Sequence, residues 1–183
     1  TGTVYSDIRI ANNVMYVDQL TGDYTNLNGV GFSTAVGGAL VGDVDGLQVV
    51  GNQVHFEPGD TRTVDGDGVA LGYGTADAIG CGPNSAVRNA VISDNLVVNN
   101  PLIGIRLGDG AVGVGSQERL VVEQNMLVDS GNNRSWHRDQ RSVFFVGGAF
   151  TDTIVRDNIS IVTDADGTFA DQCHVFTAGT PTS

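Results

Sequence analysis

Five stretches of the chain repeat one arrangement of apolar and polar positions: IRIANNVMYV, LQVVGNQVHF, AVISDNLVVN, LVVEQNMLVD and TIVRDNISIV, aligned on Asn13, Asn52, Asn95, Asn125 and Asn158. Three residues before each asparagine stand Ile10, Val49, Ile92, Val122 and Val155, all β-branched, and five before it Ile8, Leu47, Ala90, Leu120 and Thr153. Alternate residues of a strand share a face, so this column is read as facing a core. Past the asparagine the alternation continues with Val14, Gln53, Leu96, Met126 and Ile159, then Tyr16, His55, Val98, Val128 and Ile161, which are read as the inward set of a second strand. The unit is a strand, a short bend carrying asparagine, and another strand.

A weaker repeat follows each first one: GVGF at 29 to 32, GVAL at 68 to 71, GIRL at 104 to 107, SVFF at 142 to 145 and CHVF at 173 to 176. It supplies a third short strand per unit, reached through a connection of variable length. Spacings of 39, 43, 30 and 33 residues between asparagines then count one turn of a coil plus insertions. Three short strands per turn, with loops at fixed corners, predict an all-β fold: a right-handed, single-stranded parallel β-helix of about five to six coils. It spans residues 1–179, with 180–183 as a C-terminal tail or linker. Stacked coils bring successive amides about 4.8 Å apart, so the five asparagines are expected to form an internal ladder and to serve structure rather than chemistry.

These phased repeats resemble the right-handed β-helix superfamily of pectate lyases, pectin-degrading hydrolases, alginate epimerases and phage tailspikes. The resemblance covers about residues 4 to 179 and speaks for the fold, since one coil carries unrelated activities. VDGDGVAL is similar to the aspartate-before-strand arrangement of pectin hydrolases. Their paired aspartates and glycine-histidine-glycine are missing, as is the aspartate-proline-histidine of the epimerases, so those two activities are disfavoured.

Composition narrows the partners. The chain has no lysine, nine arginines, eighteen aspartates and three glutamates, for a net charge of -12. Such a surface repels nucleic acid and anionic membrane, and fits either a salt-adapted protein or a GC-rich source genome. Cys81 and Cys173 fall about two coils apart, roughly 10 Å, beyond the ~7 Å a disulfide spans; only a folded-back loop at Cys81 would let them bridge. With no signal peptide or initiator methionine before Thr1, the chain reads as a mature or excised piece. No capping helix is visible, so neighbouring subunits of a homo-oligomer, parent-chain domains or loops are expected to cover the open strand edges.

Candidate chemistry lies where the repeat is irregular. The connections at 18 to 28, 57 to 67, 129 to 141 and 163 to 172 are long, whereas the third copy has only NNPL at 99 to 102. Stacked corners would leave a notch there, floored by Arg106, outward between inward Ile105 and Leu107, with Gly31, Ala70 and Phe144 at equivalent positions. Asn100 lies at its edge as a substrate contact. The superfamily resemblance implies an extended sugar chain in such a groove, an arginine base for polyuronate cleavage, which would be Arg106, and calcium held by aspartates. Asp65, Asp67 and Asp60 offer the hard oxygen ligands calcium takes.

On the other wall RSWHRDQR, residues 134 to 141, concentrates positive charge in an acidic chain. Arg134, Arg138 and Arg141 would draw an acidic substrate, Trp136 would stack on a sugar, and His137 with Asp139 could move a proton. The plainer reading is a loop tied to the acidic surface by ion pairs, and His55 is read as a core or edge residue. Asn133-Arg134-Ser135 fits the glycosylation pattern on a loop, while Asn158-Ile159-Ser160 does so within the ladder. Two functions follow: an extracellular domain that binds an acidic polysaccharide, with possible lyase-type cleavage, or a structural or adhesive module of a cell or virion surface.

Overall fold

The computed structural model describes residues 3–17, 30–32, 35–36, 39–40, 43–56, 67–71, 87–99, 103–108, 116–129, 141–146, 149–161 and 173–178. The first repeat contributes strands β1 (Val4–Ser6), β2 (Arg9–Ala11), β3 (Val14–Val17) and β4 (Val30–Phe32). A short antiparallel pair follows, β5 (Ala35–Val36) with β6 (Ala39–Leu40). The second repeat gives β7 (Asp43–Asp45), β8 (Gln48–Val50), β9 (Gln53–Phe56) and β10 (Asp67–Leu71), and the third β11 (Val87–Arg88), β12 (Val91–Ser93), β13 (Leu96–Val98) and β14 (Ile103–Gly108). The fourth gives β15 (Ser116–Glu118), β16 (Val121–Glu123), β17 (Met126–Val128) and β18 (Arg141–Val146); the fifth β19 (Ala149–Thr151), β20 (Ile154–Arg156), β21 (Ile159–Ile161) and β22 (Cys173–Ala178).

Like strands of successive repeats pair in parallel, giving four five-stranded sheets: β1-β7-β11-β15-β19, β2-β8-β12-β16-β20, β3-β9-β13-β17-β21 and β4-β10-β14-β18-β22. The chain is therefore all-β with parallel strands in stacked sheets, an arrangement compatible with a parallel β-helix. Among the described residues there is no helix, and so none long and apolar enough to cross a membrane.

The first sheet corrects the expectation of three strands per repeat. Its strands are set off by a second sharp corner, six residues before each asparagine, occupied by Asp7, Gly46, Asn89, Arg119 and Asp152, all with φ between 52° and 81°. A like column stands one residue before each asparagine: Asn12, Gly51, Asp94, Gln124 and Asp157. Aspartate and asparagine tolerate this left-handed region because their short side chains bond locally, so part of the chain's aspartate serves corners. At Gly51 (φ +67°) an added Cβ would also lie 2.6 Å from Asn12 Oδ1. Gln124 holds the same backbone at a cost; Gln124→Gly is expected to raise stability by about 0.5–1 kcal/mol in chemical denaturation.

The core fills the space between the sheets. Val44, Leu47, Val49, Val54, Val87, Ala90, Ile92, Val97, Ile105, Leu120, Val122 and Leu127 are buried, with Ile8, Ile10, Met15, Phe150 and Val155 packed half-buried around them. The columns three and five before the asparagine thus face inward, as the alternation predicts.

Beyond the asparagine the expected phase is reversed. Val54, Val97 and Leu127, two residues after it, are fully buried, whereas Val14, Tyr16 and Ile159 are 54%, 73% and 52% exposed. The left-handed residue before each asparagine adds one position to the alternation, so the asparagine itself turns in and its +2 neighbour follows it. His55 accordingly stands on the outer face, where its ring stacks on Tyr16 with centroids 5.1 Å apart; the core-histidine reading does not hold.

The asparagine amides are joined from repeat to repeat. Asn13 Nδ2 donates to Asn52 Oδ1 (2.9 Å), Asn52 Nδ2 to Asn95 Oδ1 (3.0 Å), Asn95 Nδ2 to Asn125 Oδ1 (2.9 Å) and Asn125 Nδ2 to Asn158 Oδ1 (2.8 Å). Each oxygen also accepts the backbone N–H of the preceding asparagine, and the Nδ2 groups of Asn52, Asn95, Asn125 and Asn158 reach the carbonyls of Ile10, Val49, Ile92 and Val122. An amide at these positions therefore meets its polar needs inside an apolar core.

Candidate functional site

The fourth sheet carries the residues around the short connection. Register sets Arg106 opposite Ala70 on one side and Phe144 on the other, with Gly31 and Phe176 continuing the row. Arg106 has the opposite alternation phase to Ile105, which is fully buried. The fifth copy of this strand is shifted by one residue from the sequence alignment: Val175, not His174, continues the row of Val143 and Ile105.

Three positions before Arg106 along β14, Asp67 and Arg141 stand on either side of Ile103, in neighbouring strands of the same sheet. Their backbones are thus about 9.6 Å apart, two strand spacings, and Arg106 lies roughly 10 Å further along β14 at ~3.3 Å per residue. Three predicted site residues are brought onto one three-strand segment. By register, however, Asp67 and Arg141 share the phase of Ile105 and Arg106 does not.

The other predicted contacts, Asp60, Asp65, Asn100, Arg134, Trp136, His137, Arg138 and Asp139, lie outside the described residues, as do Cys81 and the glycosylation site at Asn133. No group of three or more His, Cys, Asp or Glu side chains among the described residues could hold a metal ion. The connections themselves keep the predicted contrast: 99–102 separates β13 from β14, against 18–29, 57–66, 129–140 and 162–172 at the same place in the other repeats.

The outer face of the third sheet is a surface the sequence reading missed. Val14, Met126 and Ile159 in one row, and Tyr16 and Ile161 in the next, are exposed, with Leu96, Val98, Val128 and the His55 ring half-buried beside them. Gln53 is the one hydrogen-bonding amide in these two rows. The signal was present as uninterrupted apolar runs, LVV and MLV, which are characteristic of strands apolar on both faces.

The first corner is polar. Arg88 lies 3.6 Å from Asp43 and 3.9 Å from Glu118; Arg119 lies 3.4 Å from Glu118, and its Nε donates to Asn89 Oδ1 at 2.7 Å. On the second sheet Arg156 holds Glu123 Oε2 from Nη2 (2.6 Å) and Nε (2.7 Å), and that hydrogen bond, followed by the charge of Glu123, raises its pKa further above an already high value. These three arginines are engaged by the protein's own acids in solvent-screened pairs at the surface, where ion pairs stabilise little. A polyanion would have to displace them.

No family model, no curated protein and no solved structure matches the chain.

Proposed function

We propose that the chain is a right-handed, single-stranded parallel β-helix of five coils, its asparagine column forming an internal amide ladder. We further propose that it works outside the cell, on a cell or virion surface, by binding an acidic polysaccharide across the fourth sheet beside the 99–102 connection. The observation that carries this reading is the position of Arg106: it lies in phase opposite to buried Ile105, beside the shortest of five equivalent connections. A guanidinium presents a planar pair of donors to a carboxylate, and a polyuronate offers one carboxylate per sugar.

The test is binding and turnover of a panel of polyuronates, with and without calcium, following unsaturated product in the ultraviolet. Arg106→Ala is expected to weaken binding by about 10- to 100-fold, the worth of one charge-assisted hydrogen bond. Unsaturated product that disappears in this variant would add lyase-type cleavage to binding. Unchanged affinity would remove the site from β14.

A second reading, a structural or adhesive module without catalysis, is favoured by the exposed apolar rows of the third sheet. Contiguous apolar surface of this kind marks contact with another macromolecule. It predicts no polyuronate binding and a loss of surface attachment in Tyr16→Asp.

A further inference from the structure

The outer face of the third sheet is apolar and uncharged, and we infer that it is the contact through which two copies of this chain pair side by side. Its two outward rows cross β3, β9, β13, β17 and β21 and hold no aspartate, glutamate or arginine. The exposure of these rows is not confined to the outermost strands. Met126 on β17 and Gln53 on β9 each have a strand paired on either side, and both are exposed, Met126 by 39%.

Charge selects the partner. Among the described residues the first sheet carries Asp43 and Glu118, the second Glu123 and the fourth Asp67, whereas the strands of the third carry no acid. Each copy has a net charge of -12, and like charges set against each other across an interface cost several kilocalories per mole. The third sheet is therefore the five-stranded sheet on which two such copies meet without opposing acid to acid. What repulsion remains comes from the rest of the molecule, so association is expected to strengthen with salt, which screens it.

Area and symmetry agree with a pair. With these exposures the two rows offer on the order of 600 Å² per copy, so two faces together cover about 1,200 Å², the lower bound for specific, stable interfaces. Sheets pack face to face about 10 Å apart with their strands nearly aligned. A two-fold axis lying in the interface closes such a contact and uses the same patch on both copies. An axis through the middle of the face sets β13 over the β13 of the second copy, whether it runs along the strands or across them. Leu96 and Val98, half-buried in one copy, are then covered from above, and Met126 and Gln53 on the flanking strands lie inside the contact.

Pairing here is independent of polyuronate binding at Arg106, which lies on the fourth sheet. It gives a definite occupant to the rows on which the adhesive reading rests.

Sedimentation velocity of the 183-residue chain over a range of concentration and sodium chloride, without polysaccharide, tests this. The expected result is a mass that rises with concentration from 19.0 kDa to twice that value and stops there, with more dimer at higher salt. Met126→Glu encloses a carboxylate from each copy in the contact and should weaken pairing by at least about 100-fold. Should that variant fail to fold, Gln53→Glu adds the charge while keeping the shape of an exposed side chain, and should weaken pairing in the same direction. Gln48→Glu is the control: it adds the same charge at an exposed position of the second sheet and should leave the association constant within about twofold. A chain that stays monomeric at every concentration and salt, an assembly that grows past the dimer, or a dimer unmoved by both Met126→Glu and Gln53→Glu would overturn the inference. A persistent monomer whose surface attachment is lost in Tyr16→Asp would overturn it as well, and would leave the face to a different macromolecule.

Discussion

Asn95→Ala is expected to destabilise the protein by about 3–5 kcal/mol, whereas Asn13→Ala costs about 1 kcal/mol or less. Asn95 is fully buried. Its Nδ2 donates to Asn125 Oδ1 and to the Val49 carbonyl, both at 2.9 Å, and its Oδ1 accepts both the backbone N–H and Nδ2 of Asn52 at 3.0 Å. Alanine would leave the Asn52 donors and the Val49 carbonyl facing a small apolar void, and each unmet buried group costs about 1–3 kcal/mol. At Asn13 the amide is exposed and Asn52 Oδ1 keeps its bond from the Asn13 backbone.

Domains of this kind have about 5–15 kcal/mol in hand, so the loss at Asn95 is a large fraction of the whole. Urea titration measures it directly. Equal, small losses at both positions would mean that the amides do not act as a ladder.

The parts of the fold that were legible in the sequence are those that repeat at a fixed offset. The column ending in Val122 is apolar every time because it is buried every time, and one alignment exposes it. The additional first strand of each repeat was missed, although its corner left a signal: Asp7, Gly46, Asn89 and Asp152 are turn residues at one offset, with Arg119 breaking the pattern. Arginine bears the left-handed backbone there beside an ion pair with the adjacent Glu118 and a hydrogen bond to Asn89 of the preceding repeat, a contact that only the stacking of repeats reveals.

The candidate site was legible as an irregularity and no further. The repeat is a ruler along strands, so it could place Arg106 against Ala70 and Phe144, and it did so in the register the sheet adopts. Connections such as 129–140 carry no alternation and no fixed offset. Nothing in their sequence says which backbone positions approach β14, and proximity between Trp136 or His137 and Arg106 follows from no pattern of apolar residues.

The phase of the third sheet also pointed the wrong way in the strand pattern, and a pair of substitutions settles it energetically. Leu127→Ala is expected to cost about 2–5 kcal/mol, while Met126→Ala next to it stays within about 0.5 kcal/mol. Leu127 is fully buried between Val97 and Ser160 of the adjoining strands, and Met126 lies in the outer row with Leu96 and Ile159. Sequence cannot separate them, because Met126, Leu127 and Val128 are all apolar and a one-residue slip exchanges the faces of the entire strand. Physical cause does separate them: Gln124 spends one position on a left-handed bend, Asn125 turns inward to meet its neighbours' amides, and Leu127 follows on the same side. Thermal denaturation of the two variants reads the difference, with several degrees expected for Leu127→Ala and almost none for Met126→Ala. The reverse order would restore the inward reading of Met126 and would bury, rather than present, the apolar rows that include Tyr16 and Ile159.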